Sequence, residues 1–211
     1  MKNRKNRKAF TLIELLVVIA IIAVLSVVVI LSLNPAELLR QSRDSNRVSD
    51  MATLKSAISL YLADVSSPSL TGTNGNCYTT LPNTSAMWTP ASSTGNITSV
   101  ANCQQWMVQA TAVANATTSR AIDSTGWIPV NFNSISSGAP LGSLPVDGVN
   151  VSGTSATAPG YFYSYEATGT VFKLATFTES KKYSKTGSND VESTDGGVNP
   201  YAYEQGTSLG L

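Results

Sequence analysis

The chain opens with a basic stretch and then a long apolar segment. Between Phe10 and Leu33, twenty-four residues carry a single charge, Glu14, and a few small polar side chains. A helix of this length rises about 36 Å, more than the roughly 30 Å of a membrane's hydrocarbon core. Each aliphatic side chain favours insertion by about 0.3–0.6 kcal/mol, so together they outweigh the roughly 2.5–3.5 kcal/mol cost of one central carboxylate. The pattern predicts a membrane-spanning helix over residues 10–33.

A second, amphipathic helical pattern follows Pro35 and runs to about Asp64, within a segment spanning residues 34–65. Pro35 lacks an amide hydrogen, so we expect it to kink or interrupt the helix between the two halves. The apolar stripe, which we expect a sheet to cover, is Leu38, Leu39, Val48, Met51, Leu54 or Lys55, Ile58, Tyr61, Leu62 and Val65. The charged residues predicted on its other faces are Arg40, Arg43, Asp44, Arg47 and Asp50.

The sequence pattern of the remaining residues, 66–211, predicts one globular head. Residues 66–125 are turn-rich, with one short helix around 100–113, and residues 126–211 carry the strands and a C-terminal loop. The predicted strands are Trp127 to Asn133, Tyr161 to Glu166 and Thr170 to Thr178. The last two form a hairpin across residues 167–169. The alternating Tyr161, Tyr163 and Tyr165 are expected to pack on the helix stripe, and a sugar-binding strip is the alternative. This order of elements predicts an α+β fold, with a long N-terminal helix packed on a small antiparallel sheet.

Charge is distributed unevenly along the 211 residues. Five of the fourteen basic residues lie in the first nine positions, whereas nine basic and thirteen acidic residues follow from Phe10 onward. The positive-inside bias therefore keeps the N-terminus in the cytoplasm and places the head outside, in a single-pass topology. A basic face for binding nucleic acid is not indicated in the head.

The residue types argue against catalysis. Histidine is absent, which removes the commonest general base and zinc ligand, and two cysteines cannot build a four-ligand zinc site. No cofactor is required by any motif. Cys77 and Cys103 lie twenty-six positions apart in the extracytoplasmic head, so we predict a disulfide between them, with two buried thiols as the alternative.

Three interpretations of the N-terminus compete: a signal peptide, a plain signal anchor and a cleaved prepilin leader. The apolar segment is too long for a signal peptide, and Asn34-Pro35 follows it in place of a small-residue cleavage site. A plain anchor leaves the charge of Glu14 unexplained. Residues 8–16, Lys-Ala-Phe-Thr-Leu-Ile-Glu-Leu-Leu, resemble the N-terminal signature of type IV pilins and type II secretion pseudopilins.

That resemblance implies cleavage of the leader, residues 1–9, between Ala9 and Phe10, followed by N-methylation of Phe10. Ala9 departs from the Gly that is usual in the family. The resemblance also implies that Glu14 pairs with the Phe10 amine of a neighbouring subunit. The alternative is an interfacial carboxylate satisfied by lipid headgroups and the helix dipole.

The resemblance further implies the partners and the location. The chain would enter the bacterial cytoplasmic membrane, meet membrane lipid and a prepilin peptidase, and polymerise at an assembly platform served by an assembly ATPase. The product would be a homo-oligomeric filament at the cell surface or in the periplasm. An uncleaved, membrane-anchored binding or adhesin protein is the alternative, and an extracytoplasmic carboxylate-dependent enzyme is a third hypothesis.

A second resemblance lies in the C-terminal half. Residues 126–130 (Gly-Trp-Ile-Pro-Val), 144–147 (Leu-Pro-Val-Asp), 179–183 (Glu-Ser-Lys-Lys-Tyr) and 195–197 (Asp-Gly-Gly) look like the head of major pseudopilins. In that group a loop near the C-terminus can bind calcium. The candidate oxygen ligands here are Ser188, Asn189, Asp190, Glu192 and Asp195.

Overall fold

The computed structural model describes residues 10–70, 76–81, 112–116, 118–155 and 158–211. Two compact units are present, one ending at Leu39 and one running from Arg40 to Leu211. The predicted helix around residues 100–113 falls mostly outside the described residues. At its end, Val113 lies in a strand rather than a helix.

The apolar segment forms helix α1, Leu12–Leu33, and the amphipathic segment forms helix α2, Pro35–Asp64. Asn34 separates them in the left-handed conformation, with φ of 40°. Proline at the first position of α2 has no amide hydrogen to donate into α1, so the interruption predicted at Pro35 is present.

Within the described residues, seven strands follow α2. They are β1 Asn76–Thr79, β2 Ala112–Ala116, β3 Val151–Ser155, β4 Ala158–Tyr161, β5 Tyr163–Thr168, β6 Val171–Thr176 and β7 Tyr203–Gly206. Five of them form one sheet in the order β2-β1-β5-β6-β7, and β3 pairs with β4. All pairs are antiparallel except β1 with β2. The α+β class predicted from the sequence is confirmed.

The core of the head lies between α2 and the sheet. Met51, Leu54, Ile58 and Tyr61 of α2 are buried there, as the periodicity predicts. From the sheet, Tyr163 and Tyr165 of β5 and Phe172 and Leu174 of β6 pack against them. These aromatic and branched side chains fill one face of the antiparallel hairpin, whose register runs from the pair Tyr163–Thr176 to the pair Thr168–Val171.

The predicted strand from Trp127 to Asn133 is wrong. The segment is a series of bends that ends in a 3-10 turn, Phe132–Ser134, with a single bridge from Asn131 to Asp123. Pro129 cannot donate to a strand ladder, and Trp127 is instead fixed by its ring nitrogen, which donates to the Pro145 carbonyl at 2.9 Å.

Gly126 explains how this irregular segment reaches the core. A Cβ at Gly126 would lie 2.0 Å from the Ala121 carbonyl oxygen, so no other residue fits. The close approach allows Trp127 to be fully buried, with its ring 6.3 Å from that of Tyr163.

The prediction that Tyr161 packs on the helix stripe with Tyr163 and Tyr165 is also wrong. Tyr161 ends β4, and Phe162 interrupts the alternation before β5 begins. Tyr161 packs against a second cluster containing Phe162 and Phe177, and the Arg47 guanidinium lies 5.0 Å from its ring centre.

Candidate functional site

The start of α1 is built around a capping box. Thr11 is the N-cap, and its side-chain oxygen accepts a hydrogen bond from the Glu14 amide at 3.3 Å. In return, the Glu14 carboxylate accepts hydrogen bonds from the amide and the hydroxyl of Thr11, each at 2.8 Å. The pattern Thr-x-x-Glu satisfies amides that otherwise lack partners at a helix start. Thus Glu14 has a local structural role besides any role between subunits.

The surface of α1 is apolar on all sides. From Leu12 to Ile30 its large aliphatic side chains are between 48% and 81% exposed, and Phe10 before it is 89% exposed. Among the described helices, only the stretch Leu12–Ile30 is long and apolar enough to cross a membrane. None of this stretch is buried in the protein. A helix that is apolar all round needs lipid or other helices around it.

The second notable site is an ionic cluster inside the head, centred on Arg47. Its guanidinium donates to Asp44 at 2.7 Å, to Glu179 at 2.5 Å, and twice to Asp147, through Nε and, at 3.0 Å, through Nη2. Arg43 adds two further bonds to Glu179, at 2.9 and 2.5 Å. We refer to Arg43, Asp44, Arg47, Asp147 and Glu179 as the ionic cluster.

The prediction of which faces of α2 are buried is wrong at the ionic cluster. Asp44 and Arg47 were expected outside the core, yet they are 0% and 1% exposed, whereas Leu38 and Leu39 of the predicted stripe are 50% and 62% exposed. The Asp44 carboxylate also accepts the amides of Glu179 and Ser180, at 2.9 and 2.8 Å. Helical spacing alone cannot distinguish a buried ion pair from an apolar contact, because both recur at three and four residues.

The opposite charges within the ionic cluster stabilise each other. Burial alone would raise the pKa of Glu179, but the hydrogen bonds from Arg43 and Arg47 hold it below its ordinary value. Burial opposes the charge on Arg47 as well, but the carboxylates of Asp147 and Glu179 raise its pKa. The charges on Arg47 and Glu179 therefore stabilise each other, and the contacts of Arg47 fix residues 147 and 179 to α2.

A different polar cluster lies on the face of the sheet opposite α2. Glu166 of β5 stands directly across from Cys77 of β1 and Lys173 of β6. The Lys173 amine contacts Glu204 of β7 at 2.5 Å and donates to the carbonyls of Leu209 and Leu211 at 3.1 and 3.0 Å. Glu166 and Lys173 are fully buried, and among the described residues neither carboxylate oxygen of Glu166 has a hydrogen-bond partner. Burial raises the pKa of Glu166 to about 7, although Lys173 opposes this.

Replacing Glu166 with Gln is expected to stabilise the head in a pH-dependent way. Below its ordinary pKa of 4.5 the carboxyl is protonated in both folded and unfolded chains, so the wild type carries no penalty. As the pH rises towards 7, only the unfolded chain ionises freely, and the wild type loses stability on the order of 1–3 kcal/mol. The difference in unfolding free energy between Glu166→Gln and wild type should therefore grow from pH 4 to pH 8.

Denaturant unfolding of the full chain in detergent at several pH values measures this difference. Other groups that titrate in the head, including Glu192 and Asp195, are common to both proteins and cancel. A difference that stays constant with pH would show that Glu166 is already ionised in the folded head.

The C-terminal loop uses its carboxylates as backbone acceptors. Asp190 accepts hydrogen bonds from the amides of Thr186, Glu192 and Ser193, between 2.9 and 3.0 Å. Asp195 accepts the amide of Gly197 at 2.8 Å. Burial raises the pKa of Glu192 to about 7 and that of Asp195 to about 6, with hydrogen bonds opposing both shifts.

The five candidate calcium ligands are not brought together as one acidic cluster. Ser188 and Asn189 are exposed, whereas Glu192 is buried and accepts hydrogen bonds from Thr178 and Lys185. Over the part of the chain that the structure describes, no group of three or more histidine, cysteine or acidic side chains is placed to hold a metal ion. Calcium binding stays a prediction.

Cys77 is fully buried on β1, whereas Cys103 lies outside the described residues. The predicted disulfide therefore also stays a prediction. If it forms, it closes a loop of about 26 residues and contributes about 3–4 kcal/mol in the chain-entropy model. Replacing Cys103 with Ser should lower the unfolding free energy by that amount under oxidising conditions and by much less after reduction. Equal losses under both conditions would contradict the disulfide.

The described structure defines a class of protein: an exposed apolar N-terminal helix followed by an α+β head, consistent with the pilin fold. Residues 4–30 match the family model for the prokaryotic N-terminal methylation motif, which is the prepilin-type signature of type IV pilins and pseudopilins. No curated protein and no solved structure matches the chain significantly. The motif supports a type IV pilin-like prepilin with a membrane helix, and it indicates a structural protein rather than an enzyme.

Proposed function

We propose that the protein is the structural subunit of a type IV pilus or type II secretion pseudopilus. The single observation that supports this most strongly is the methylation motif over residues 4–30, which coincides with an apolar helix that is exposed from Leu12 to Ile30. In this proposal the leader is removed between Ala9 and Phe10, and Phe10 is N-methylated. The protein then has no catalytic role.

The exposed apolar surface of α1 is suited to two successive environments. Before assembly, lipid of the bacterial cytoplasmic membrane surrounds α1, with the N-terminus inside and the head outside. During assembly, α1 helices from other copies replace the lipid. Both environments are apolar, so the exchange leaves aliphatic side chains out of water throughout.

Glu14 supports a specific step in that exchange. Its carboxylate is held by Thr11 next to Phe10, one turn from the new N-terminus. In the filament we propose that this carboxylate pairs with the methylated amine of Phe10 in a neighbouring copy. In a dry helical bundle, the pairing offsets the cost of burying either charge alone.

Immunoelectron microscopy of the native cells tests the proposal. Antibody against the head should decorate filaments in the sheared surface fraction, or filaments in the periplasm if the protein is a pseudopilin. Cells lacking the gene provide the control. Label confined to the membrane, with no filament in any fraction, would favour an uncleaved, anchored binding or adhesin protein.

A further inference from the structure

Three charged side chains meet on the face of the sheet opposite α2. Glu166 of β5 stands directly across from Lys173 of β6, and Glu204 of β7 pairs with Ala175, two residues further along β6. Residues two apart on a strand share a face, so the two carboxylates lie on either side of the lysine. All three charged residues are fully buried. An amine and two carboxylic acids are therefore brought together on adjacent strands, away from water.

The Lys173 amine is held against one of these carboxylates. Its Nζ atom lies 2.5 Å from Oε1 of Glu204 and donates to the carbonyls of Leu209 and Leu211 at 3.1 and 3.0 Å. The other carboxylate oxygen of Glu204, Oε2, accepts the Asn199 amide at 3.2 Å. Because Cδ is one bond beyond Oε1, the amine nitrogen lies within about 4 Å of the carboxyl carbon, close to the separation at which bonds form.

Glu166 is placed to carry a proton for this pair. Among the described residues, neither of its carboxylate oxygens accepts a hydrogen bond. Burial raises the pKa of Glu166 to about 7, although Lys173 opposes this. A carboxyl group with a pKa near the ambient pH both accepts and returns protons readily. Burial also raises the pKa of Glu204 above its ordinary value, with Lys173 again opposing, and this favours the protonated acid, which is the better electrophile.

The buried surroundings favour condensation of the amine with the acid. Ala175 and Phe177 of the second cluster are fully buried beside this site. An ion pair in such a place has lost the hydration of both charges, whereas an amide is neutral. At an exposed site, hydration of the separate charges would oppose the same reaction. Burial therefore removes the main obstacle to forming the amide.

We propose that Lys173 and Glu204 condense to an amide bond that joins β6 to β7. One proton of the Lys173 ammonium passes to the Glu166 carboxylate, and the freed electron pair on Nζ attacks Cδ of Glu204. The Asn199 amide stabilises the negative charge that develops on Oε2. The Nζ–Cδ bond forms and the Cδ–Oε1 bond breaks. Oε1 leaves as water, with the proton returned by Glu166 and a second proton from Nζ, so no oxidant, reductant or further reactant is consumed.

The bond closes a covalent ring between positions 173 and 204. The ring contains the C-terminal loop and fixes both of its ends to the sheet. This inference goes beyond the proposed function, because the bond forms within one head and does not need a filament.

Peptide mapping of the denatured full chain from native membranes tests the bond. Trypsin does not cleave after a lysine whose amine is in an amide bond. Residues 121–181 and 186–211 should therefore appear as one branched peptide, lighter by one water molecule than the two peptides together. Its fragment spectrum should join Lys173 to Glu204, and the branched form should account for most of the protein.

Two results in the wild type would overturn the proposal. One is recovery of residues 121–173 and 186–211 as separate peptides of full mass, which would show that Lys173 and Glu204 remain an ion pair. The other is a fragment spectrum that joins Lys173 to Glu166. Either result would leave the proposed function intact, because filaments are scored independently.

Two variants and a matched control test the roles of the residues. Lys173→Arg keeps the cation without the amine, so the branched peptide should be absent. Glu166→Gln keeps the shape without the proton carrier, so the branched peptide should appear at least about tenfold more slowly after pulse labelling. Lys55→Gln removes an amine bonded to Gln205 on the other face of β7 and should leave the branched peptide unchanged. A wild-type rate in Glu166→Gln would overturn the proton transfer proposed for Glu166.

Discussion

Replacing Arg47 with Met should lower the unfolding free energy of the head by about 3–5 kcal/mol, because it leaves buried carboxylates without their cation. Asp44 and Asp147 would retain backbone amide partners, but each would lose its charged donor. Denaturant unfolding of the full chain in detergent, followed by near-ultraviolet circular dichroism, measures the loss.

Arg43→Met provides the matched control. Its side chain is 38% exposed, and Glu179 keeps Arg47 as a partner, so the expected loss is about 1 kcal/mol or less. Arg47→Lys should fall between the two, because a lysine cannot donate to three carboxylates in fork geometry. Equal losses for Arg43→Met and Arg47→Met would contradict the central place of Arg47.

Replacing Glu14 with Ala should abolish filaments while leaving membrane insertion intact, since it removes both the helix cap and the charge that we propose pairs with Phe10. Two further variants separate these roles. Glu14→Gln retains a capping-box side chain without the charge, and Thr11→Ala removes the N-cap, at a cost of about 1 kcal/mol, but retains the charge. We expect filaments from Thr11→Ala and none from Glu14→Gln.

Filament yield in the sheared fraction, normalised to the amount of subunit in the membrane, measures the outcome. Abundant filaments from Glu14→Gln would mean that Glu14 acts through the helix start rather than through its charge. Loss of membrane insertion in Glu14→Ala would likewise mean that Glu14 acts through the helix start rather than through its charge.

The parts of the fold that the sequence predicts well are those set by local chemistry. The apolar composition of α1 and the missing amide hydrogen of Pro35 are local properties, as is the turn at Gly169, whose φ is +63°. Each is visible in a few neighbouring residues. The β5–β6 hairpin was predicted for the same reason.

The errors arise where distant residues decide the structure. The pattern places Asp44 and Arg47 on a solvent-facing side because the residues that contact Arg47, Asp147 and Glu179, lie 100 and 132 positions away. The spacing of Asp44 and Arg47, three apart with opposite charge, was the available signal. For Trp127 to Asn133, apolar content was mistaken for a strand although Pro129 stands within it.

At the helix start, the sequence indicated which residue is important but not its local contacts. Glu14 was singled out because a charge in an apolar span is costly. The Thr11-x-x-Glu14 spacing, which is that of a capping box, is the sequence signal for those contacts and is independent of the family signature.

The N-terminal peptide mass of the protein from native cells tests the account most directly. Protein should be recovered from membrane and sheared fractions, digested, and its first peptide weighed. A terminus at methylated Phe10 in the sheared fraction is the predicted result, since it reports processing and assembly together. An intact Met1 terminus confined to the membrane would contradict the filament account and leave an anchored extracytoplasmic protein.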